Sequence, residues 1–245
     1  MGHQVDRPNF PDLDTNETGL TISTGQNLDI SHRHMSPYMA IYPLGLLDID
    51  NEKDAKVIRN SLRHIERMGT REWCGYSFSW MACLYSRANE GDSAAAMLRH
   101  FATNFCSINS FHLNGDQKGG QYSSFTYRPF TLEGNFAFAQ GINEMLIRSD
   151  KGYIEVFPAV PDSWKNISFS TLRTEGAFLV SGKKANGVIT QITVKSLAGG
   201  TLDIKLPFIK YSIKGATNNA ISDWDGLTHV ETKPGQLISF TISNE

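Results

Sequence analysis

The sequence predicts an α+β multidomain chain in which helices come first and a small antiparallel β-sandwich follows. Three observations predict it. Apolar residues recur at helical spacing between Asn51 and about Ser149, and from Gly152 onward the period falls to two. The third is size: 245 residues suffice for one large domain or two ordinary ones with a substantial core. The change of period divides the chain into 1–150 and 151–245.

Each helix is justified by a stripe. Over 54–68, Val57, Ile58, Leu62, Ile65 and Met68 fall on one face, and over 77–88 Phe78, Met81, Ala82, Tyr85 and Ala88 do the same. Ala94, Met97, Leu98, Phe101 and Phe105 define a third helix over 93–105, and Phe136, Ala139, Ile142, Met145 and Leu146 a fourth over 136–147. An earlier apolar segment, 37–47, is interrupted by Pro43 and Gly45 and reads as a short helix and a turn.

The strands rest on alternation and turn chemistry. Val188, Thr190, Ile192 and Val194 alternate directly after Asn186-Gly187, a strong hairpin signal. Gly199-Gly200 precedes Leu202, Ile204 and Leu206, and Ile238, Phe240 and Ile242 alternate near the end. FPAVPDSW, 157–164, carries two prolines and two aromatics and reads as an ordered, packed connection.

Composition narrows the partners. Lys and Arg total 23 against 25 Asp and Glu, a net charge of -2 with both signs interspersed, so no basic footprint for nucleic acid is present. No apolar run approaches the roughly 18 to 20 residues of a membrane span. MGHQVDRPNF lacks the basic-then-apolar order of a secretory signal and looks like a cut inside a longer chain. Cys74, Cys83 and Cys106 have no metal-ligand spacing, and Cys83 fits a core position. Phosphate-loop, dinucleotide-binding and serine-hydrolase motifs are absent, so no cofactor is expected.

Four clusters carry candidate chemistry. His32 and His34 in SHRHMS share a side if the segment is extended, but no regularly spaced carboxylate or thiolate completes a metal site; they suit a polar ligand or a structural role. In REWCGYSFSW, Trp73, Tyr76 and Trp80 offer flat faces that fill cores or stack on sugar rings, and Gly75 permits close approach. The long aperiodic stretch 111–136 is too rich in aromatics for a disordered segment and reads as an ordered active-site loop; it holds His112, Asn114, Asp116, Tyr127 and Arg128. Arg128 is placed to pair with Glu133 or to present its fork to a ligand. Last come Glu133 and Asn135 at the start of the fourth helix, with Thr131 in position to cap it. The helix dipole favours an ionised carboxylate there, so Glu133 suits a base more than a proton donor, or else it serves only to stabilise the helix by about 0.3 to 1 kcal/mol.

The order of these motifs, SHRHMSPYMAIYPLG, GYSFSWMACLYSRANEGDSA, RPFTLEGNFAFAQGINEML and GYIEVFPAVPDSWKNISFSTLRTEGAFLV, resembles the C-terminal part of glycoside hydrolase family 95, the α-L-fucosidases and related α-L-galactosidases. The likeness runs from about His32 to about Val194. It implies that the helices are part of an (α/α)6 toroid, that the substrate is an α-L-fucosyl or related glycoside, and that hydrolysis inverts the anomeric centre. It implies that Glu133 is the general base, where many relatives have Asp in Asp-Gly-Asn-Phe; the extra methylene carries the carboxylate toward the substrate. Asn135 flanks that base. His32 and His34 match a sugar-binding motif, and Trp73 and Trp80 match the lining of the same pocket. The general acid matches nothing in this chain, which is expected to be a piece with exposed helix faces and a tendency to self-associate. For the parent family a periplasmic or extracellular setting is expected.

Overall fold

The computed structural model describes residues 12–216, 221–223 and 226–243; the opening MGHQVDRPNF, read above for a missing signal, lies outside them. A small hairpin, β1 (Thr15–Asn16) and β2 (Gly19–Leu20), leads to a 3-10 turn, Ser36–Ala40, and then to four helices. These are α1 (Glu52–Met68), α2 (Gly75–Arg87), α3 (Gly91–Asn104) and α4 (Glu133–Leu146). α2, α3 and α4 each begin three residues ahead of their apolar stripes and α1 five, because the first turn of each helix lies outside the stripe.

Local chemistry sets these boundaries. Asn51 caps α1 through Oδ1, which accepts from the backbone N–H groups of Lys53 and Asp54 at 3.0 and 3.2 Å. Gly69 ends the helix with φ of 74°, a left-handed conformation suited to glycine. α2 lies at the centre and is buried nearly all round. Among its buried serines, Ser86 Oγ donates to the Ala82 carbonyl at 2.7 Å, while Ser79 Oγ has no hydrogen-bond partner. α3 and α4 both pack on α2, and Ile58, Leu62, Phe78, Met81, Leu98, Phe101 and Met145 share one core with them. The segment 37–47 keeps only the 3-10 turn before Pro43.

Beyond α4 come β3 (Ile147–Arg148), β4 (Ile154–Val156), β5 (Ile167–Thr174), β6 (Phe178–Ala185), β7 (Val188–Ser196), β8 (Gly200–Lys205), β9 (Tyr211–Lys214), β10 (Ile221–Asp223), β11 (Thr228–Thr232) and β12 (Leu237–Ile242). They form two five-stranded sheets, ordered β10-β11-β8-β4-β3 and β5-β6-β7-β12-β9. Val180, Ile192, Val194, Ile238 and Phe240 of one sheet meet Ile154, Val156, Leu202, Ile204 and Val230 of the other in a second core. Pairing is antiparallel as expected except that β4 and β8 run parallel, with Ile154 opposite Ile204. The long excursion through β5, β6 and β7 lets β8 return alongside β4 in the same direction.

A charged seam joins helices and sheets. Arg87 on α2 pairs with Glu144 on α4 at 2.7 Å and also with Asp150 just past β3. Arg148 on β3 donates to the Ser86 carbonyl at 2.6 Å. Lys151 bonds Asp48 and Asp50, and Lys205 bridges Asp50 and Glu155 at 3.6 and 3.2 Å. Burial disfavours the charge on Arg87, but Glu144 and Asp150 outweigh it and raise the guanidinium's pKa.

Candidate functional site

The candidate site is formed by the first half of α2 and the segment 33–43, with the start of α4 in electrostatic reach of Tyr76. The loop between α3 and α4 is ordered by its own hydrogen bonds. Buried Asp116 accepts from Asn104 Nδ2 at 3.2 Å and from the backbone N–H groups of Lys118 and Tyr122 at 2.8 and 2.9 Å. The returning chain pairs back on itself, with Asn114 N–H donating to the Pro129 carbonyl and Gly115 N–H to the Tyr127 carbonyl, both at 3.1 Å. Gly115 permits that contact, since a Cβ there would meet the Tyr127 carbonyl oxygen at 2.5 Å. This hairpin delivers the chain to the α4 N-terminus, where Glu133 is the first helical residue and its side chain is exposed.

Glu133 sits within electrostatic reach of Tyr76 on α2. Burial raises the Tyr76 phenol above its ordinary value, and the neighbouring Cys83, Glu133 and Cys74 raise it further. Tyr76 in turn lines an open cavity of about 270 Å³ together with Arg33, His34, Met35, Ser36, Met39, Pro43 and Trp80. Met and Trp supply an apolar wall, and imidazole, guanidinium and hydroxyl groups supply polar edges, the composition of a small-molecule site. The Arg33 guanidinium is held 5.5 Å over the Phe125 ring.

Of the residues singled out in the sequence, His34, Tyr76 and Trp80 line this cavity; Glu133 does not, and lies within electrostatic reach of Tyr76. His32 lies one step away: its ring is 5.4 Å from that of His34, and its Nδ1 accepts the His34 N–H at 3.0 Å. Asn114 anchors the start of α2, accepting the Gly75 N–H at its carbonyl at 3.0 Å and donating from Nδ2 to the Tyr127 hydroxyl at 3.1 Å.

Other residues take different places. Trp73 is 2 % exposed and packs edge-on against Phe78 at 5.1 Å, so it fills the core and offers no face to a sugar. His112 is fully buried and equally unable to touch a ligand from outside. Asn135 uses both ends of its amide on the loop backbone: Oδ1 accepts the His112 N–H at 2.8 Å and Nδ2 donates to the Ser110 carbonyl at 2.9 Å. Arg128 is exposed, with the backbone on either side of it bonded to Asn114 and Gly115, and no ion pair joins it to Glu133 among the described residues. Thr131 is not the cap; Leu132 holds that position, and Thr131 Oγ1 lies 2.9 Å from His112 Nδ1. Met35 and Met39 carry no site reading in the sequence, although they stand at helical spacing across Pro37, and Pro43 reads there only as a break in the 37–47 segment. Among the described residues no group of three His, Cys, Asp or Glu is placed to hold a metal.

Fold and site together define an α+β protein whose helical part bears an aromatic, imidazole-edged cavity and is followed by two β-sheets that share a second core. The Glycosyl hydrolase family 95 catalytic domain profile matches residues 22–146, and the Glycoside hydrolase family 95, C-terminal domain profile matches 148–240. The chain belongs to glycoside hydrolase family 95. It is similar to Alpha-L-fucosidase 2 of Arabidopsis thaliana, with 29% identity over 167 residues, which is 66% of this chain and 19% of that protein. The chain thus matches about a fifth of the length of that curated relative.

Proposed function

We propose that this chain carries the base side of an inverting α-L-fucosidase-like glycosidase site, with Glu133 as general base and His34, Tyr76 and Trp80, backed by His32, as the sugar-binding wall. The observation that carries the reading is the exposed Glu133 carboxylate at the α4 N-terminus, within electrostatic reach of Tyr76, which lines the 270 Å³ cavity. The base takes a proton from the attacking water while the departing oxygen receives one from an acid roughly 6.5 to 9.5 Å away across the sugar. Among the described residues no carboxylate, Glu133 included, lines the cavity itself, so the proposed acid comes from elsewhere. In this reading the helices of 1–150 are part of an (α/α)6 toroid, and 151–245 is the accompanying β-sandwich domain.

The test is an assay on aryl α-L-fucoside and aryl α-L-galactoside, with the first-formed anomer followed by proton NMR. Turnover with inversion, abolished in Glu133→Gln, supports the reading. Turnover unaffected by Glu133→Gln refutes Glu133 as base, and retention of configuration refutes the mechanism.

One observation favours a second reading, a structural or sugar-binding unit that needs a neighbour. Ile108, Phe111, Phe130, Leu132 and Phe136 are all exposed large apolar residues around the α4 start. An apolar group of that kind favours association. Sedimentation at increasing concentration should reveal assembly beyond the monomer, and sugar binding without turnover would favour this reading over the first.

A further inference from the structure

The His112 ring is held between two helix starts. A Cβ on Gly75, the first residue of α2, would lie 2.3 Å from Nε2, and one on Gly134, the second residue of α4, 2.4 Å from Nδ1. No Cβ tolerates such distances, so each glycine makes room for the imidazole, and the ring sets the thickness between the two helix starts. Phe101 packs against it with ring centroids 5.1 Å apart. The ring's own chain is tied to the same turn of α4. Asn135 clasps the His112 N–H and the Ser110 carbonyl, and Thr131 N–H donates to the His112 carbonyl at 3.3 Å.

The hydrogen bonding also specifies the tautomer. His112 Nδ1 lies 2.7 Å from the Thr131 carbonyl oxygen, which only accepts, and 2.9 Å from Thr131 Oγ1, which can accept as well; the geometry favours the hydrogen on Nδ1. Nε2 is then an unprotonated nitrogen, buried with no hydrogen-bond partner. A side chain needed only to fill space would not bring an unpaired polar atom into the core. What the ring and its bonds jointly fix is the first turn of α4, where Glu133 stands.

We propose that His112 is a positioning residue for Glu133: a neutral ring, hydrogen on Nδ1, that spaces the first turns of α2 and α4 and so places the carboxylate relative to Tyr76. The inference rests on Glu133 being the base.

The test compares the parent with His112→Phe, Glu133→Gly and the double variant on an aryl α-L-fucoside, with and without azide. Azide needs no base: its nitrogen bonds the anomeric carbon as the bond to the aryl oxygen breaks, giving glycosyl azide and aryl oxide. His112→Phe should lower kcat by about 10- to 100-fold, the scale of a misplaced catalytic group, with KM within about twofold. It should leave the azide-supported rate of Glu133→Gly unchanged. A further equal loss in the double variant, or a rise in KM without a fall in kcat, overturns the positioning role. If Glu133→Gly keeps the parental rate, the base assignment has failed instead. Nitrogen-15 spectra judge the spacer without turnover: the parent should show the Nδ1–H tautomer, and His112→Phe should move the Glu133 and Gly134 amide resonances. An Nε2–H tautomer, or an unmoved Glu133 amide, sinks the proposal.

Discussion

Arg87 on α2 and Glu144 on α4 meet at 2.7 Å with side chains only 12% and 8% exposed, and they bind the two helices at the end away from Glu133. Removing one partner of a buried pair leaves the other charge without compensation, at a cost of about 3 to 5 kcal/mol. Arg87 keeps Asp150, so Glu144→Ala should fall near the lower end, about 3 kcal/mol. Urea unfolding measures it, and a loss below about 1 kcal/mol would show the pair to be dispensable.

Gly91 opens α3 against the connection between the two halves. A Cβ there would meet the Val160 carbonyl carbon at 2.6 Å and the Ala159 carbonyl oxygen at 2.7 Å. These neighbours are backbone and cannot swing aside, so Gly91→Ala should destabilise by about 1 to 3 kcal/mol through overpacking. Gly25→Ala is not a fair control, since its φ of 74° is itself glycine-favouring; an exposed alanine substitution at Lys56 is. Calorimetry should find Gly91→Ala melting several degrees below Lys56→Ala.

Asn51→Ala removes the acceptor for two free N–H groups at the start of α1. The expected cost is about 1 kcal/mol, and Asn51→Asp should recover most of it. Thermal melts followed by circular dichroism provide the check.

The buried His112 ring predicts acid sensitivity. Burial holds its pKa below the ordinary 6.5, against the opposing Thr131 carbonyl and Glu133 carboxylate. The unfolded chain therefore takes up this proton before the folded one does, and stability falls as pH drops below about 6.5. His100, lowered by its own burial and by Arg99, acts in the same sense. His112→Phe should show a shallower decline between pH 6.5 and 5 than the parent, whatever its absolute stability. Equal slopes would mean that the buried ring does not resist protonation.

Much of this architecture is legible in the chain because it is local. Asn51, the stripe from Val57 to Met68 and Gly69 specify α1 without outside help. The Asn186-Gly187 turn joins β6 to β7, with positive φ at both residues, as that pair of residue types predicts. Burial direction is less legible. Trp73 and Trp80 look alike in sequence, yet only Trp80 reaches the cavity, because Trp73 precedes α2 and turns under it onto Phe78. The parallel β4–β8 pair joins strands far apart in the chain and carries no local signal. The clamp on His112 is the hardest to see, since Gly75 and Gly134 are ordinary glycines until folding brings a third residue between them.

The enclosure of α2 has a kinetic consequence. With Phe78, Met81, Ala82, Leu84 and Ser86 all shut away from water, solvent deuterons reach these amides only when the surrounding helices part. Isotope exchange should therefore leave this segment protonated longest, and the stretch that holds Tyr76 and Trp80 will be the last to yield as the protein opens.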